Sequence, residues 1–268
     1  GWHSRAIATA ARQRLYDDLE LRYPPAFFEL FKTSSDQAGI SVNWAMGIAR
    51  SESLFMPDVK SRAGALGLMQ LMPATGAATA REFKIRYTSS GSLLDPVTNI
   101  QLGTRYLEKM QARFGSHQVL STAAYNAGPN RVSSWLPATG SVPADIWIET
   151  LPYRETRNYV RRVLESQAIF SWRLERQGTR LSDVLTPIPS AAQLQARLLV
   201  QHGVNPAVTR PAPEPDIRAR CIYNPRPAAS GVFFGAYCTY IHIDDDEKRK
   251  KNKQPKESTT TNNKNCYQ

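Results

Sequence analysis

The stretch GIARSESLFMP, Gly47–Pro57, places a carboxylate where a helix would bury an apolar side chain. Three apolar residues precede Glu52 at the helical spacings of seven, four and three: Ala45, Ile48 and Ala49. Burial and the C-terminal end of a helix dipole both raise the pKa of a carboxyl group. A glutamic acid that keeps its proton near neutral pH is suited to general-acid catalysis. The same stretch fits a buried ion pair of Glu52 with Arg50 or Arg62 equally well.

Two later stretches also place polar side chains at positions where they could meet a ligand. GALGLMQLMP carries Gln70 inside an apolar run, and its glycines let the backbone pass close to a packed helix or to a ligand. STAAYNAGPNRV ends a helix in Tyr125 and Asn126, which offer a hydroxyl on a rigid ring and a paired donor and acceptor. Each has a purely structural interpretation: Met72 as core filling, Tyr125 as a core tyrosine and Asn126 as a helix C-cap.

Helical signals dominate the elements that must position these residues. The predicted helices cover 4–21, 24–38, 41–55, a segment beginning at Pro73, a segment beginning at Pro96, 117–125 and 155–176. Ser41 and Asp95 are expected N-caps, and Gly39 and Gly115 follow predicted helix ends. No stretch offers sustained strand alternation with hairpin turns, so the sequence predicts an all-α, mainly helical fold.

Composition narrows the classes of function that are open to the chain. Its 268 residues can form one substantial domain with extra segments, and no apolar run is long enough to span a membrane. The three cysteines all follow residue 190 and the four histidines are scattered singly, so we expect no metal site and no cofactor. The net charge of +11 favours anionic partners such as nucleic acid, acidic lipid or cell-wall polymers.

The composition changes after about Ile188. Residues 190–268 are first rich in proline and arginine and then charged and low in complexity, which predicts a mostly disordered tail. A chain that ends near Ser190 is therefore expected to fold. The basic cluster Lys248–Lys256 is interpreted as a solvated terminal run, so no nucleic-acid partner is expected. The chain starts at Gly1 with no signal-like segment, which is typical of a fragment or a processed end.

Four blocks together carry a resemblance to a known family. They are ARSESLFMPDVKSRAGALGLMQLMPAT, LLDPVTNIQLGTRYLEKM, AAYNAGPNRVSSWL and DIWIETLPYRETRNYVRRVL. In order and spacing they look like the soluble lytic transglycosylases of bacterial cell-wall turnover. The resemblance implies a lysozyme-like catalytic domain at 24–189 whose cleft binds peptidoglycan glycan strands. It implies the end of a helical linker domain at 1–23 and a periplasmic location. The tail at 190–268 resembles nothing in the family.

The resemblance also implies a reaction. In the family, one glutamate, matched here by Glu52, cleaves the β-1,4 bond between N-acetylmuramic acid and N-acetylglucosamine. It first protonates the glycosidic oxygen and then takes the proton of the C6 hydroxyl, which attacks C1 and leaves a 1,6-anhydromuramoyl end without water. A second catalytic carboxylate is then unnecessary, in contrast to ordinary glycosidases. The other nearby carboxylates are Asp58, Asp95, Glu149 and Glu155.

The resemblance also implies roles for individual residues other than Glu52. Positions that contact substrate in the family are matched by Ser61, Gln70, Met72, Tyr125, Asn126 and Glu149. Two other functions remain open at this point. One is a goose-type lysozyme-like muramidase, which would hydrolyse the same bond, and the other is a non-catalytic peptidoglycan-binding module.

Overall fold

Helices make up nearly all the regular structure of the described residues, which are 2–176, 178–201 and 203 of the computed structural model. In chain order they are α1 (His3–Arg12), α2 (Leu19–Arg22), α3 (Phe28–Ala38), α4 (Val42–Ser53), α5 (Pro73–Phe83), α6 (Pro96–Arg113), α7 (Gln118–Ala127), α8 (Pro129–Ser134), α9 (Ala144–Thr150), α10 (Arg154–Glu175), α11 (Leu181–Val184) and α12 (Ala191–Gln201). A 3-10 helix covers Ser90–Leu94, and the strands β1 (Ser141–Val142) and β2 (Ile188–Pro189) pair antiparallel. The predicted all-α class is confirmed.

Local capping signals explain where the principal helices begin and end. The Ser41 side chain accepts a hydrogen bond from the Trp44 amide at the start of α4, and Asp95 accepts one from the Thr98 amide, at 2.9 Å, at the start of α6. Gly39 ends α3 in the left-handed conformation that glycine adopts at little cost. The sequence predicted all three of these caps.

The first predicted helix is broken in the structure. A single helix over 4–21 was expected, but α1 ends at Arg12 and α2 begins only at Leu19. The Asp18 carboxylate accepts a hydrogen bond from the Leu21 amide at 2.9 Å and so caps a new helix. Aspartate is more favourable at an N-cap than in a helix interior. A new helix therefore begins at Asp18, although the composition of the whole segment favours one continuous helix.

The core is centred on the contact between α4 and α10. Both helices bury apolar side chains there, and the members of this first cluster include Trp44, Met46, Ile48, Val163 and Phe170. The Trp44 indole nitrogen donates to the Thr122 hydroxyl at 3.0 Å, which ties α4 to α7. A second cluster joins α7, α9 and α10, and a third lies beneath the loop 66–71. None of the described helices is both long enough and apolar enough to cross a membrane.

The packed structure extends past the predicted domain end. Residues 191–201 form α12, and Leu194 is buried in the second cluster, so the expectation of a disordered tail from residue 190 is wrong for this segment. The apolar face of this short helix is enough to pack it against the second cluster. The boundaries drawn at 23 and 189 as domain limits stay predictions. The expectations for the cysteines, for Lys248–Lys256 and for the rest of 204–268 lie outside the described residues.

Candidate active site

Glu52 lies in the last turn of α4, and a strained turn fixes the position of that helix end. Leu54 and Phe55 both adopt left-handed backbone angles, with φ of 51° and 61°. Such conformations cost about 1–3 kcal/mol each in residues other than glycine and persist only where packing imposes them. The Phe55 ring supplies that packing, because it is buried between the rings of Phe31 and Phe170 at centroid distances of 6.3 and 6.1 Å.

The environment of Glu52 raises its pKa to about 7. Burial among protein atoms is the largest cause, because it disfavours the charged carboxylate. The neighbouring Tyr159 hydroxyl and the Arg162 guanidinium lower the pKa, whereas the Glu155 carboxylate raises it. Glu52 nevertheless keeps some surface exposure, as a group that meets a substrate must. Both of its protonation states are therefore accessible at neutral pH, and the carboxyl can both donate and accept a proton.

The ion-pair interpretation of Glu52 is wrong for the described residues, which give this carboxylate no salt bridge. Arg50 faces away from it. The Arg50 Nε donates to the Arg22 carbonyl at 2.8 Å, and the guanidinium lies 3.8 Å from the centroid of the Tyr23 ring. Arg62 is exposed.

Tyr125, on α7, lies near enough to Glu52 for the charge of that carboxylate to act on it. Its hydroxyl donates a hydrogen bond to the Met69 carbonyl at 2.9 Å, and its ring packs edge-on against Tyr106 at 5.3 Å. Burial and the negative charge of Glu52 raise the pKa of Tyr125 well above its ordinary value. The hydroxyl therefore stays protonated at any pH at which the protein would work.

Tyr159 reaches Glu52 from α10, and the sequence analysis missed it. Its side chain is buried, and among the described residues Glu52 is the one group that its hydroxyl approaches for a hydrogen bond. Burial and the Glu52 charge raise the pKa of Tyr159 well above the ordinary value. A signal for it was present, because Glu155, Tyr159 and Arg162 follow one another at helical spacings of four and three, and all three act on Glu52.

Buried side chains from two helices hold the glycine-rich loop 64–71 beside the site. The Ser53 hydroxyl, next to Glu52 on α4, lies 2.7 Å from the Leu68 carbonyl. Asn99, on α6, accepts from the Met69 amide at 2.8 Å and donates to the Leu66 carbonyl at 2.9 Å. Asn99 is fully buried, and the sequence analysis missed it as well.

The six predicted substrate-contacting residues occupy different settings. Three lie on the loop or immediately beside it in the chain. The Ser61 hydroxyl accepts from the Ala65 amide at 2.9 Å and closes a turn. Gln70 has a left-handed φ of 46°, and its Nε2 donates to the Gly67 carbonyl at 2.8 Å. Met72 is 43% exposed in front of α5, so it is not core filling.

Two of the remaining residues connect other elements. The Asn126 side-chain oxygen accepts from the Thr156 hydroxyl at 2.8 Å, which joins α7 to α10. Glu149 is exposed and pairs with Arg161. It borders a pocket of about 600 Å³ whose lining does not include Glu52. Of the six residues, Tyr125 is thus the one on which the charge of Glu52 acts, whereas no described interaction joins Glu149 to Glu52.

Comparisons with known proteins agree with this architecture. Residues 29–148 match the family model of the transglycosylase SLT domain. The chain is 42% identical over 183 residues to the soluble lytic murein transglycosylase of Escherichia coli K12, which covers 68% of this chain and 28% of the relative. It is 38% identical over 164 residues to a putative soluble lytic murein transglycosylase of Haemophilus influenzae, which covers 61% of this chain and 28% of the relative. Residues 29–148 of the chain belong to the transglycosylase SLT domain family.

Solved structures of SLT proteins resemble the fold. One is the X-ray structure of an inactive Glu-to-Gln mutant of lytic transglycosylase Slt from Pseudomonas aeruginosa, with 38% identity and a TM-score of 0.63, covering 72% of this chain and 30% of that one. Another is the 70 kDa soluble lytic transglycosylase of Escherichia coli, with 41% identity and a TM-score of 0.61, covering 65% and 28%. The present chain thus spans less than a third of the length of these SLT proteins.

The matched SLT segment contains only part of the site. Glu52, the loop 64–71 and Tyr125 lie inside residues 29–148, whereas α10 with Tyr159 lies beyond them. Because α4 packs along α10, the site around Glu52 requires both parts of the chain. The lysozyme-like helical fold expected from the resemblance is confirmed by these neighbours.

Proposed function

We propose that this chain is the catalytic domain of a peptidoglycan lytic transglycosylase. It would cleave the β-1,4 bond between N-acetylmuramic acid and N-acetylglucosamine without water and leave 1,6-anhydromuramic acid ends. The observation that carries the proposal is Glu52, a carboxyl whose pKa of about 7 lets one group serve first as acid and then as base. The similarity to proteins named soluble lytic murein transglycosylases supports it.

In the proposed reaction Glu52 moves one proton in two steps. The neutral acid gives its proton to the glycosidic oxygen, the bond from that oxygen to C1 breaks, and the sugar's own N-acetyl carbonyl stabilises C1. The resulting Glu52 carboxylate then removes the proton of the C6 hydroxyl, and that oxygen forms the new bond to C1. The acid is regenerated, and no water, metal or cofactor takes part.

The proposed substrate contacts come from the loop and from α7. The exposed Met72 and the partly buried Gln70 would meet the glycan. Ser61 would act from the turn beside them, and Asn126 would contact sugar next to Tyr125. We propose Glu149 only as a contact to stem peptide, because its described partner is Arg161. The partner of the domain would be the peptidoglycan strand rather than nucleic acid, and its location would be the periplasm.

Hydrolysis of the same bond is the second candidate function, and Glu155 is the observation that favours it. This exposed carboxylate on the first turn of α10 is close enough to raise the pKa of Glu52. A hydrolase would use such a second group to activate water. Two of the other nearby carboxylates are otherwise engaged, since Asp95 caps α6 and Glu149 pairs with Arg161.

Mass analysis of the products tests the proposal. The 268-residue chain is incubated with purified peptidoglycan beside its Glu52→Gln and Glu155→Gln variants. We expect muropeptides lighter by one water than reducing ones, lost with Glu52→Gln and kept with Glu155→Gln. Reducing ends that disappear with Glu155→Gln would establish the hydrolase instead. Binding to peptidoglycan with no released muropeptide from the unaltered chain would establish a non-catalytic module.

A further inference from the structure

We propose that a polar cavity between α3 and α6 is a second sugar site, which holds one neutral pyranose unit of a glycan strand. In peptidoglycan this unit is N-acetylglucosamine, because N-acetylmuramic acid carries the stem peptide. The cavity has a volume of about 230 Å³, and its lining includes neither Glu52 nor any residue of the loop 64–71. The inference rests on the proposed function only for the choice of sugar.

The facing sides of α3 and α6 are polar where packed helices ordinarily interlock apolar side chains. Ser34 and Gln37 are three residues apart on α3, and Gln101 and Arg105 are four apart on α6, so each pair lies on one side of its helix. All four line the cavity. A void between packed helices is unfavourable, because the side chains around it lose van der Waals contacts. This arrangement therefore indicates a role other than packing.

Three of these side chains have hydrogen-bonding groups that are free for a ligand. Among the described residues, the Ser34 hydroxyl and the amides of Gln37 and Gln101 have no hydrogen-bond partner. A hydroxyl and a carboxamide each offer both a donor and an acceptor, which matches sugar hydroxyls that also do both. Ser34 is only 7% exposed, so a ligand that bonds its hydroxyl must enter the cavity.

The charge of the cavity favours a neutral ligand. Arg105 is the one charged residue in the described lining, and its guanidinium pairs with Glu108 at 2.8 Å. An anion would have to compete with the Glu108 carboxylate for this cation. The remaining N–H groups of the guanidinium can still donate to uncharged hydroxyls.

Phe83 and Ile85 add apolar surface to the lining. They flank Lys84, which ends α5 in a left-handed conformation with a φ of 55°. The Ile85 amide donates to the Ala80 carbonyl at 2.9 Å and fixes this turn. A pyranose ring presents C–H groups beside its hydroxyls, so a cavity that combines an aromatic ring and an aliphatic side chain with free amides matches both kinds of surface.

The size of the cavity suits a single ring. Its volume corresponds to about seven water molecules at about 30 Å³ each. A sugar that displaces these waters can replace their hydrogen bonds with those of its own hydroxyls, so the exchange does not leave the amides unpaired. A unit that carries a peptide is larger, which favours N-acetylglucosamine over N-acetylmuramic acid.

NMR of glutamine side-chain amides tests the proposal on the 268-residue chain labelled with ¹⁵N. The ligand is tri-N-acetylchitotriose, a trimer of N-acetylglucosamine. The Gln37 and Gln101 amides report on the cavity, whereas the Gln70 amide reports on the loop beside Glu52. Each signal is assigned by its loss when that glutamine is replaced by leucine. We expect the trimer to shift the Gln37 and Gln101 signals to saturation.

Gln101→Leu should raise the Kd measured at Gln37 by about fivefold to tenfold, because it removes hydrogen bonds to the sugar. The Kd measured at Gln70 should not change. Gln111→Leu, on the same helix but outside the lining, is the matched control and should change neither value. If Gln101→Leu does not fold, Gln37→Leu, at an exposed position, should raise the Kd measured at Gln101 in the same way.

Shifts at Gln70 alone, or at none of the three amides, would overturn the inference and leave the cavity to water. Shifts of Gln37 and Gln101 with inorganic phosphate but not with the trimer would overturn it in favour of an anion site. An unchanged Kd at Gln37 in Gln101→Leu would also contradict it. Anhydro products without shifts at the cavity would uphold the proposed function while the inference fails. Cavity shifts in a chain that releases no anhydro products would do the reverse, so the two failures are distinguishable.

Discussion

Asn99 accepts a hydrogen bond from the Met69 amide at 2.8 Å, and this contact joins α6 to the loop beside Glu52. Its carboxamide nitrogen donates to the Leu66 carbonyl at 2.9 Å and to the Leu93 carbonyl at 2.7 Å. A single buried side chain thus bonds three backbone groups, of which the Leu66 carbonyl also accepts from the Leu71 amide. The orientation of the Met69 carbonyl, and with it that of Tyr125, depends on the Asn99 carboxamide.

Replacing this amide by a carboxyl group should destabilise the domain. Asn99→Asp keeps an acceptor for Met69 but places carboxyl oxygens against two carbonyls, so we expect a loss of about 2–4 kcal/mol in the free energy of unfolding. Urea unfolding followed by circular dichroism measures it. Gln101→Ala, at a partly exposed position of the same helix, is the control and should change stability little. Equal effects of the two substitutions would contradict the role given to Asn99.

Gly67 and Gly64 should differ sharply in their tolerance of alanine. Both have positive φ, of 77° and 91°, so both would incur about 1–2 kcal/mol of backbone strain. A Cβ at Gly67 would also lie 2.1 Å from the Leu93 carbonyl oxygen and 2.4 Å from the Asn99 side chain, whereas one at Gly64 meets nothing within 4 Å. We expect Gly67→Ala to cost at least about 3 kcal/mol and Gly64→Ala only its strain, by urea unfolding. A similar cost at both positions would show that backbone strain alone matters here.

The sequence predicted the features that depend on contacts between residues close together in the chain. Ser41, Asp95 and Gly39 set helix ends through contacts within a few residues, so their roles could be predicted without a fold. The helical stripe before Glu52 predicted its burial for the same reason. The resemblance added Tyr125.

The site residues that the sequence analysis missed interact with residues far away in the chain. Tyr159 approaches Glu52 from a helix about a hundred residues later. Helical spacing places it on one face with Glu155 and Arg162, but nothing in a single sequence shows that this face meets α4. Asn99 looks like an ordinary helix residue until Met69 lies against it. The break before Asp18 was missed because the composition of the segment is helical, whereas the Asp18 cap starts a new helix. The packing of α12 was missed because the composition of the tail predicts disorder, whereas Leu194 makes a small apolar contact with the second cluster.

Glu52→Gln should abolish muropeptide release and stabilise the fold at higher pH. The folded chain holds the Glu52 proton up to about pH 7, whereas an ordinary glutamate releases it near 4.5, so folding takes up a proton between these values. The contribution of Glu52 to the free energy of unfolding therefore falls as pH rises through this window, by about 3 kcal/mol, and glutamine is spared that loss.

Urea unfolding at pH 4.5 and pH 8 measures this difference. The advantage of Glu52→Gln should be small at the lower pH and greatest at the higher one. Glu29→Gln on the exposed side of α3 is the control for removing a carboxylate. A variant that is less stable than the original chain at pH 8 would instead indicate that Glu52 is held by a favourable charge partner.

The end of the folded unit should lie after α12 rather than near Ser190. Leu194 is 7% exposed and packs on the second core cluster, and its Cδ1 would lie 3.3 Å from a Cβ at Gly115. A chain ending at residue 190 loses this contact, so its midpoint of urea unfolding should be lower than that of a chain ending at residue 203. Leu194→Ala in the longer chain should reproduce most of the loss, about 2 kcal/mol, because it removes the same buried side chain. Val200→Ala, at a position 60% exposed on the same helix, should not. Equal midpoints for the two truncated chains would restore the boundary at 189 that composition predicted.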